Sequence, residues 1–115
     1  MEFSCKFEEK NDHCVIHFTG NLIEKSQAIE MMDRFDDLIS RDRKKFILDL
    51  ANFGYMNSTG LNTLISILTK ARKAGGEAVV SSVPGNVKSL LAITRLNSIF
   101  TVAESELEAE KMLAG

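Results

Sequence analysis

Two stretches of this sequence hold side chains with the capacity for chemistry. The first is N-terminal, where Cys5, His13, Cys14 and His17 make up the inventory of a tetrahedral zinc site. Their spacing argues against it. Phe3, Cys5 and Phe7 alternate with Ser4, Lys6 and Glu8, and Cys14, Ile16 and Phe18 alternate with Val15, His17 and Thr19. Both cysteines then lie on the apolar face of a hairpin, and His13 and His17 on the opposite one. Ligands split across a sheet cannot converge on one ion, so no metal is expected; the cysteines read as buried reduced thiols and the histidines as exposed. The same split removes a Cys–His nucleophile pair, and no third group is evident to orient the imidazole. No Gly-rich loop ends in Lys-Ser/Thr and no spaced glycine triplet follows a strand, so no nucleotide cofactor is expected either. These absences point to a binding module and not an enzyme.

The second stretch is Leu48-Asp49-Leu50-Ala51-Asn52-Phe53-Gly54-Tyr55-Met56-Asn57-Ser58-Thr59-Gly60-Leu61. It joins an apolar strand pattern to a strongly amphipathic helical one. Asn57 or Ser58 is an N-cap candidate, its side-chain oxygen placed to accept from the first free helical N–H groups. At the carboxyl end of a strand beside a helix N-terminus, hydroxyls and amides face the crevice where open α/β sheets bind partners. A hydroxyl there is accessible to a kinase. Once phosphorylated it carries about −1.5 to −2 charges beside a helix end that favours negative charge. Phe53, Tyr55 and Met56 flank the hydroxyls as an apolar contact patch, or, for Phe53 and Met56, as a cap on the core. Taken alone, Asn57-Ser58-Thr59-Gly60 is an ordinary helix start.

The surrounding elements follow from periodicity. The two N-terminal strands turn at Asn11-Asp12, and Thr19-Gly20-Asn21 closes the second. From about Ser26, Ile29, Met32, Phe35 and Ile39 recur at helical spacing, with Glu30, Asp33, Arg34 and Asp37 opposite. Lys45 to Leu50, apolar at almost every position, suits a central strand covered on both faces. A second helix carries Leu61, Leu64, Ile65, Leu68 and Ala71 and ends at Gly75-Gly76. Ala78-Val79-Val80 is a short strand, and Pro84-Gly85 leads into a helix with Val87, Leu90, Leu91 and Thr94 on one face. Ile99 to Val102 is a last strand, and Ser105 and Glu108 have capping-box spacing before a short helix holding Leu107 and Leu113. The order is β-β-α-β-α-β-α-β-α. It implies one α/β domain over residues 1–115, with a mostly parallel mixed sheet, an antiparallel N-terminal edge strand and about four helices.

Composition narrows the function classes. The 115 residues are enough for one core, and 44% apolar with 26% charged residues is a globular balance, not a disordered one. Fourteen basic against sixteen acidic residues leave a net charge of −2, so no nucleic-acid partner is expected. The one basic run, Arg41-Asp42-Arg43-Lys44-Lys45, falls between a helix and a strand, as a solvated loop does. No apolar run approaches the roughly 20 residues of a membrane span. Met1 to Lys6 carries no basic segment leading into an apolar stretch, so a cytoplasmic location is expected.

The chain resembles the STAS-domain anti-sigma-factor antagonists over nearly its whole length. The residues that carry the resemblance are Phe18-Thr19-Gly20, the Leu48-Asp49-Leu50 strand, Tyr55-Met56-Asn57-Ser58-Thr59-Gly60-Leu61, and Gly75-Gly76-Glu77-Ala78-Val79-Val80. The resemblance implies a STAS-like fold and partner switching. The unphosphorylated antagonist binds an anti-sigma factor that is also a Ser/Thr kinase, freeing a sigma factor, and a PP2C-type phosphatase resets the cycle. It implies Ser58 as phosphoacceptor, with Thr59 second, and a partner face containing Asn21, Ile23, Glu24, Tyr55, Met56, Asn57, Thr59, Gly60 and Leu61. The free chain is expected to be a monomer. Two positions depart from the family pattern: Asn57 replaces the acidic residue before the acceptor, and Ile23 replaces an Asp, with Glu24 adjacent. These departures keep a second expectation open, a STAS subunit docked constitutively in another assembly such as a lipid-transport ABC complex.

Overall fold

The computed structural model describes residues 2–114. Strand β1 (Ser4–Glu9) pairs antiparallel with β2 (Cys14–Leu22), and a 3-10 turn at Lys25–Ala28 leads into α1 (Ile29–Ser40). There follow β3 (Lys45–Met56), α2 (Ser58–Lys73), β4 (Glu77–Ser81), α3 (Gly85–Ile93), β5 (Thr101–Ala103) and α4 (Glu106–Ala114). The five strands lie in the order β1-β2-β3-β4-β5, parallel from β2 onward. The expected element order and mixed sheet are therefore those of the protein.

Three layers result. On one face, Cys14, Ile16 and Phe18 of β2 and Phe46, Leu48 and Leu50 of β3 pack with α1, α2 and α3 in the main core. On the other, Val15, Ile47 and Val79 meet Ala109 and Leu113 of α4 in a smaller one. β2 is thus buried on both faces, where alternation had suggested a half-buried strand. α4 is the reason, because it covers Val15.

Helix α1 is rotated from the expected face. Ala28, Met31, Phe35 and Leu38 are buried, whereas Ile29 is exposed. Two apolar stripes overlap on this helix and share Phe35, so periodicity alone cannot choose between them. Packing of Phe35 on Phe46, with ring centroids 4.7 Å apart, decides for the stripe that meets the sheet. In α2, Leu61, Leu64, Ile67, Leu68 and Ala71 are buried, and Gly75 closes the helix at φ +88°.

Strand ends also differ from expectation. β2 runs on to Leu22, and β3 runs six residues beyond Leu50 to Met56. His17 pairs with Asp49 but Thr19 with Asn52, and Gly20 pairs with Phe53 but Asn21 with Tyr55. Each step inserts one extra residue into β3, a pair of bulges. They break the period of two, so Leu50, Phe53 and Met56 point inward at every third position and the segment reads as a loop. β5 begins later than expected, after a 3-10 turn at Leu96–Ser98. At α4 the cap is half of the expected box: Ser105 Oγ accepts from the Glu108 N–H at 3.2 Å, while the Glu108 carboxylate reaches the Glu104 N–H. The basic run is partly ion-paired surface, with Arg41 on Asp37 at 2.9 Å and Lys44 on Asp42 at 3.1 Å.

Phe35 is fully enclosed. Phe35→Ala is expected to lower the unfolding free energy by about 3–5 kcal/mol in urea denaturation. Ile93→Ala, at an exposed position, should change it by no more than about 0.5 kcal/mol.

Candidate functional site

The site is built where β3 hands over to α2. Asn57 is the N-cap, extended at φ −101°, and its Oδ1 accepts the Gly60 N–H at 3.1 Å. The other end of the same amide donates from Nδ2 to the Ile23 carbonyl at 3.0 Å. One side chain therefore caps α2 and ties it to the end of β2. The Ile23–Glu24 corner is held from its other side by Gln27, whose Oε1 accepts from the Ile23 N–H at 2.9 Å and the Glu24 N–H at 3.0 Å.

Position 60 must be glycine for a steric reason. A Cβ there would fall on the Leu22 carbonyl oxygen and lie 2.7 Å from Met56 Cβ. The first turn of α2 sits directly on the sheet, and Asn57 reaches Ile23 because of it. Ser58 is then the first helical residue and is exposed; Thr59 is the second and half-buried. The helix supplies no acceptor for the N–H groups of these two residues, which leaves the positive end of α2 beside the Ser58 hydroxyl.

Two grooves flank this ridge. One, of about 380 Å³, runs from Tyr55 and Ser58 to Asn86, Ser89, Leu90 and Ile93 of α3, and among the described residues no charged one lines it. Asn86 Nδ2 donates to the Gly54 carbonyl and so ties the start of α3 to the end of β3. The other, of about 680 Å³, lies between α1 and α2 and is lined by Lys25, Ile29, Met32, Thr59 and Lys70 among others. Apolar side chains stand out around Ser58: Tyr55 is 52% exposed and Ile93 80%. The second β3 bulge, at Gly54, turns Tyr55 outward while Phe53 and Met56 stay inward.

Of the residues expected to form a partner face, Ile23, Glu24 and Tyr55 are exposed, and Asn21, Asn57 and Thr59 are half-buried at the same end of the sheet. Met56, Gly60 and Leu61 are buried, although Met56 lines the wall of the groove beside Tyr55 and Ser58. Met56 is drawn inward by the bulged register, Gly60 is pressed against Leu22, and Leu61 belongs to the buried stripe of α2. Phe53 is likewise core. Gln27, Asn86 and Ile93 belong to the site and were missed. The Glu24–Gln27 spacing of a capping box is a signal that points to the first; nothing local marks the other two.

The cysteines and histidines part as expected, but not in burial. Cys14 lies in the main core with Cys5 packed against it, and burial pushes both thiols up. His17 and His13 face α4, and His13 is buried, contrary to expectation, because α4 closes over it with Glu110 3.5 Å from Nε2.

The double role of Asn57 is testable. Asn57→Ala is expected to cost about 0.5–2 kcal/mol in chemical denaturation and to speed amide exchange at Gly60. Asn57→Ser should restore part of the stability by capping, while its short side chain leaves the Ile23 carbonyl without the amide donor.

Residues 4–109 match the STAS domain family. BtrV of Bordetella bronchiseptica, named as an anti-sigma factor antagonist, is 24% identical over 97 residues, 84% of each chain. A solved anti-sigma factor antagonist of Thermotoga maritima has a TM-score of 0.87 at 19% identity, covering 96% of this chain and 95% of its own. The Bacillus cell-fate determinant SpoIIAA is solved unphosphorylated and phosphorylated, with TM-scores of 0.78 and 0.74 at 14% and 13% identity. Each form covers 95% of this chain, which covers 96% and 99% of theirs. The structural likenesses establish a shared fold, and the family match spans nearly every element described above. The chain belongs to the STAS domain family.

Proposed function

We propose that this chain antagonises an anti-sigma factor in a bacterial partner-switching pathway, with Ser58 as the phosphoacceptor that controls binding. The observation that carries the reading is the exposed Ser58 hydroxyl at the positive end of α2, beside an uncharged groove rimmed by Tyr55 and Ile93. An anti-sigma factor with Ser/Thr kinase activity docks on that surface, phosphorylates Ser58 and releases it. A PP2C-type phosphatase restores the hydroxyl. The chain works in the cytoplasm and makes no covalent chemistry of its own. Among the described residues no helix is long and apolar enough to cross a membrane.

The physical logic has two parts. A phosphate at the N-terminus of α2 meets the free Ser58 and Thr59 N–H groups and the helix dipole, so the fold tolerates it. In the same place it adds about two negative charges to a groove that has none. Burying that charge against a partner without a cation costs several kcal/mol, and each 1.4 kcal/mol or so is a tenfold loss of affinity. The fold of SpoIIAA resembles that of this chain in both of its phosphorylation states, which fits a modification acting at the surface.

Thr59 is the weaker acceptor because it is half-buried and lines the other groove. Asn57 favours a second reading, constitutive docking without phosphorylation. Its amide holds the Ile23 carbonyl, a bond that a carboxylate in its place would lack.

With an anti-sigma kinase captured from the source organism on the immobilised chain, Ser58→Ala is expected to abolish labelling by ATP while retaining binding. Ser58→Asp is expected to weaken binding at least tenfold with an unchanged circular dichroism spectrum. Labelling of Ser58→Ala at the wild-type level would reject the assignment, and loss of label in Thr59→Ala would move it one residue on. Stable capture with no label on any variant would favour the constitutive reading.

A further inference from the structure

His17 has partners that its place in the sequence does not reveal. Its ring lies on the α4 side of the sheet, and Nδ1 is 2.6 Å from Asp49 Oδ2 on the neighbouring strand β3. Nε2 meets the Glu8 carboxylate on β1. Glu106, the first residue of α4, completes a set: one ligand atom each from His17, Asp49 and Glu106 lie within 4.8 Å of one another, all on half-buried residues. We propose that His17, Asp49 and Glu106 bind a divalent first-row transition ion, with Zn²⁺ as its representative, and that the ion fastens α4 to the sheet.

Three features support this site. One imidazole with two carboxylates is a donor set for ions of intermediate softness, and its two negative charges neutralise a dication. Ligand atoms about 2.0–2.2 Å from an ion lie roughly 3–4.4 Å from each other, so Nδ1 and Asp49 Oδ2, now 2.6 Å apart, part to admit the ion while Glu106 stays within reach. Glu8 supplies the outer contact that metal-bound histidines characteristically make. Glu8 stands at Nε2 to accept that nitrogen's proton once Nδ1 gives up its own to the incoming ion.

A protonated His17 bridging two carboxylates is the competing state of the same atoms. Burial pulls the imidazole down, but the bonds to Asp49 and Glu8 outweigh it and leave His17 above its ordinary value. The ion and the Nδ1 proton therefore exclude each other. Lys10 sits 3.5 Å from Glu106 and 3.9 Å from Glu110, so it keeps a carboxylate partner when Glu106 turns to the ion. The three ligands come from β2, β3 and α4, and the smaller core beneath α4 holds few side chains. A tie of this kind acts where that layer is thinnest.

Isothermal titration of the chelator-treated full chain with Zn²⁺ tests the site. One-to-one saturable binding, reversed by EDTA and accompanied by slower amide exchange in α4, is the expected result. His17→Gln and Glu106→Gln should each weaken binding at least tenfold; Glu106 is a surface residue whose replacement leaves the core intact. Cys5→Ser and Ser58→Ala should bind as the wild type does. Co²⁺ in place of Zn²⁺ should give a visible spectrum of nitrogen and oxygen ligands without a thiolate charge-transfer band. Absence of saturable binding, its persistence in either His17→Gln or Glu106→Gln, or a thiolate band would overturn the proposal.

Discussion

The first turn of α2 lies so close to the end of β2 that position 60 has no room for a side chain. Much of the site's geometry follows from that approach. With Gly60 against the Leu22 carbonyl, Asn57 is near enough to hold the Gly60 N–H with one end of its amide and the Ile23 carbonyl with the other. Ile23 and Glu24 are thereby fixed at the rim, with Gln27 bracing them from behind. Ser58, next in the chain after this clamp, is left exposed at a helix end that favours negative charge. The segment is anchored by its neighbours on either side, so its hydroxyl can change charge without serving as a support.

The bulges of β3 set the surroundings. Each adds one residue to the strand and resets which side chains face the core. Phe53 and Met56 go in, Tyr55 goes out, and an uncharged groove opens between Tyr55 and α3. An aromatic and an aliphatic anchor beside a groove without charge is a surface suited to protein contact, because little desolvation cost opposes burial. The same groove is the place where an added phosphate changes most. In the proposed switch, binding and its control share one patch, while the helices behind it keep the fold.

Much of this was legible in the sequence, and the failures have physical causes. Element order and the mixed sheet followed from a period that switches between two and 3.6. Asn57, Ser58 and Gly60 announced a helix start. What sequence could not supply was whatever tertiary packing decides. The face of α1 was ambiguous because two stripes share Phe35, and contact with Phe46 resolves it. The last six residues of β3 were hidden because bulges erase alternation. Met56 and Leu61 looked like contact residues by proximity to Ser58, but their side chains turn into the core. His13 looked exposed because nothing local predicts that α4 closes over it. His17 was matched with cysteines nearby in sequence, whereas its partners come from three other elements: Glu8 of β1, Asp49 of β3 and Glu106 of α4.

The central claim is that the Ser58 hydroxyl takes a phosphate as a change of surface and not of fold. Its most direct test is the two-dimensional amide NMR spectrum of protein carrying phosphoserine installed at position 58, compared with the unmodified chain. The account predicts full dispersion in both, with shifts confined to Ile23–Glu24 and the turn from Tyr55 to Asn62. Shifts spread through the buried strands, or loss of dispersion, would contradict it.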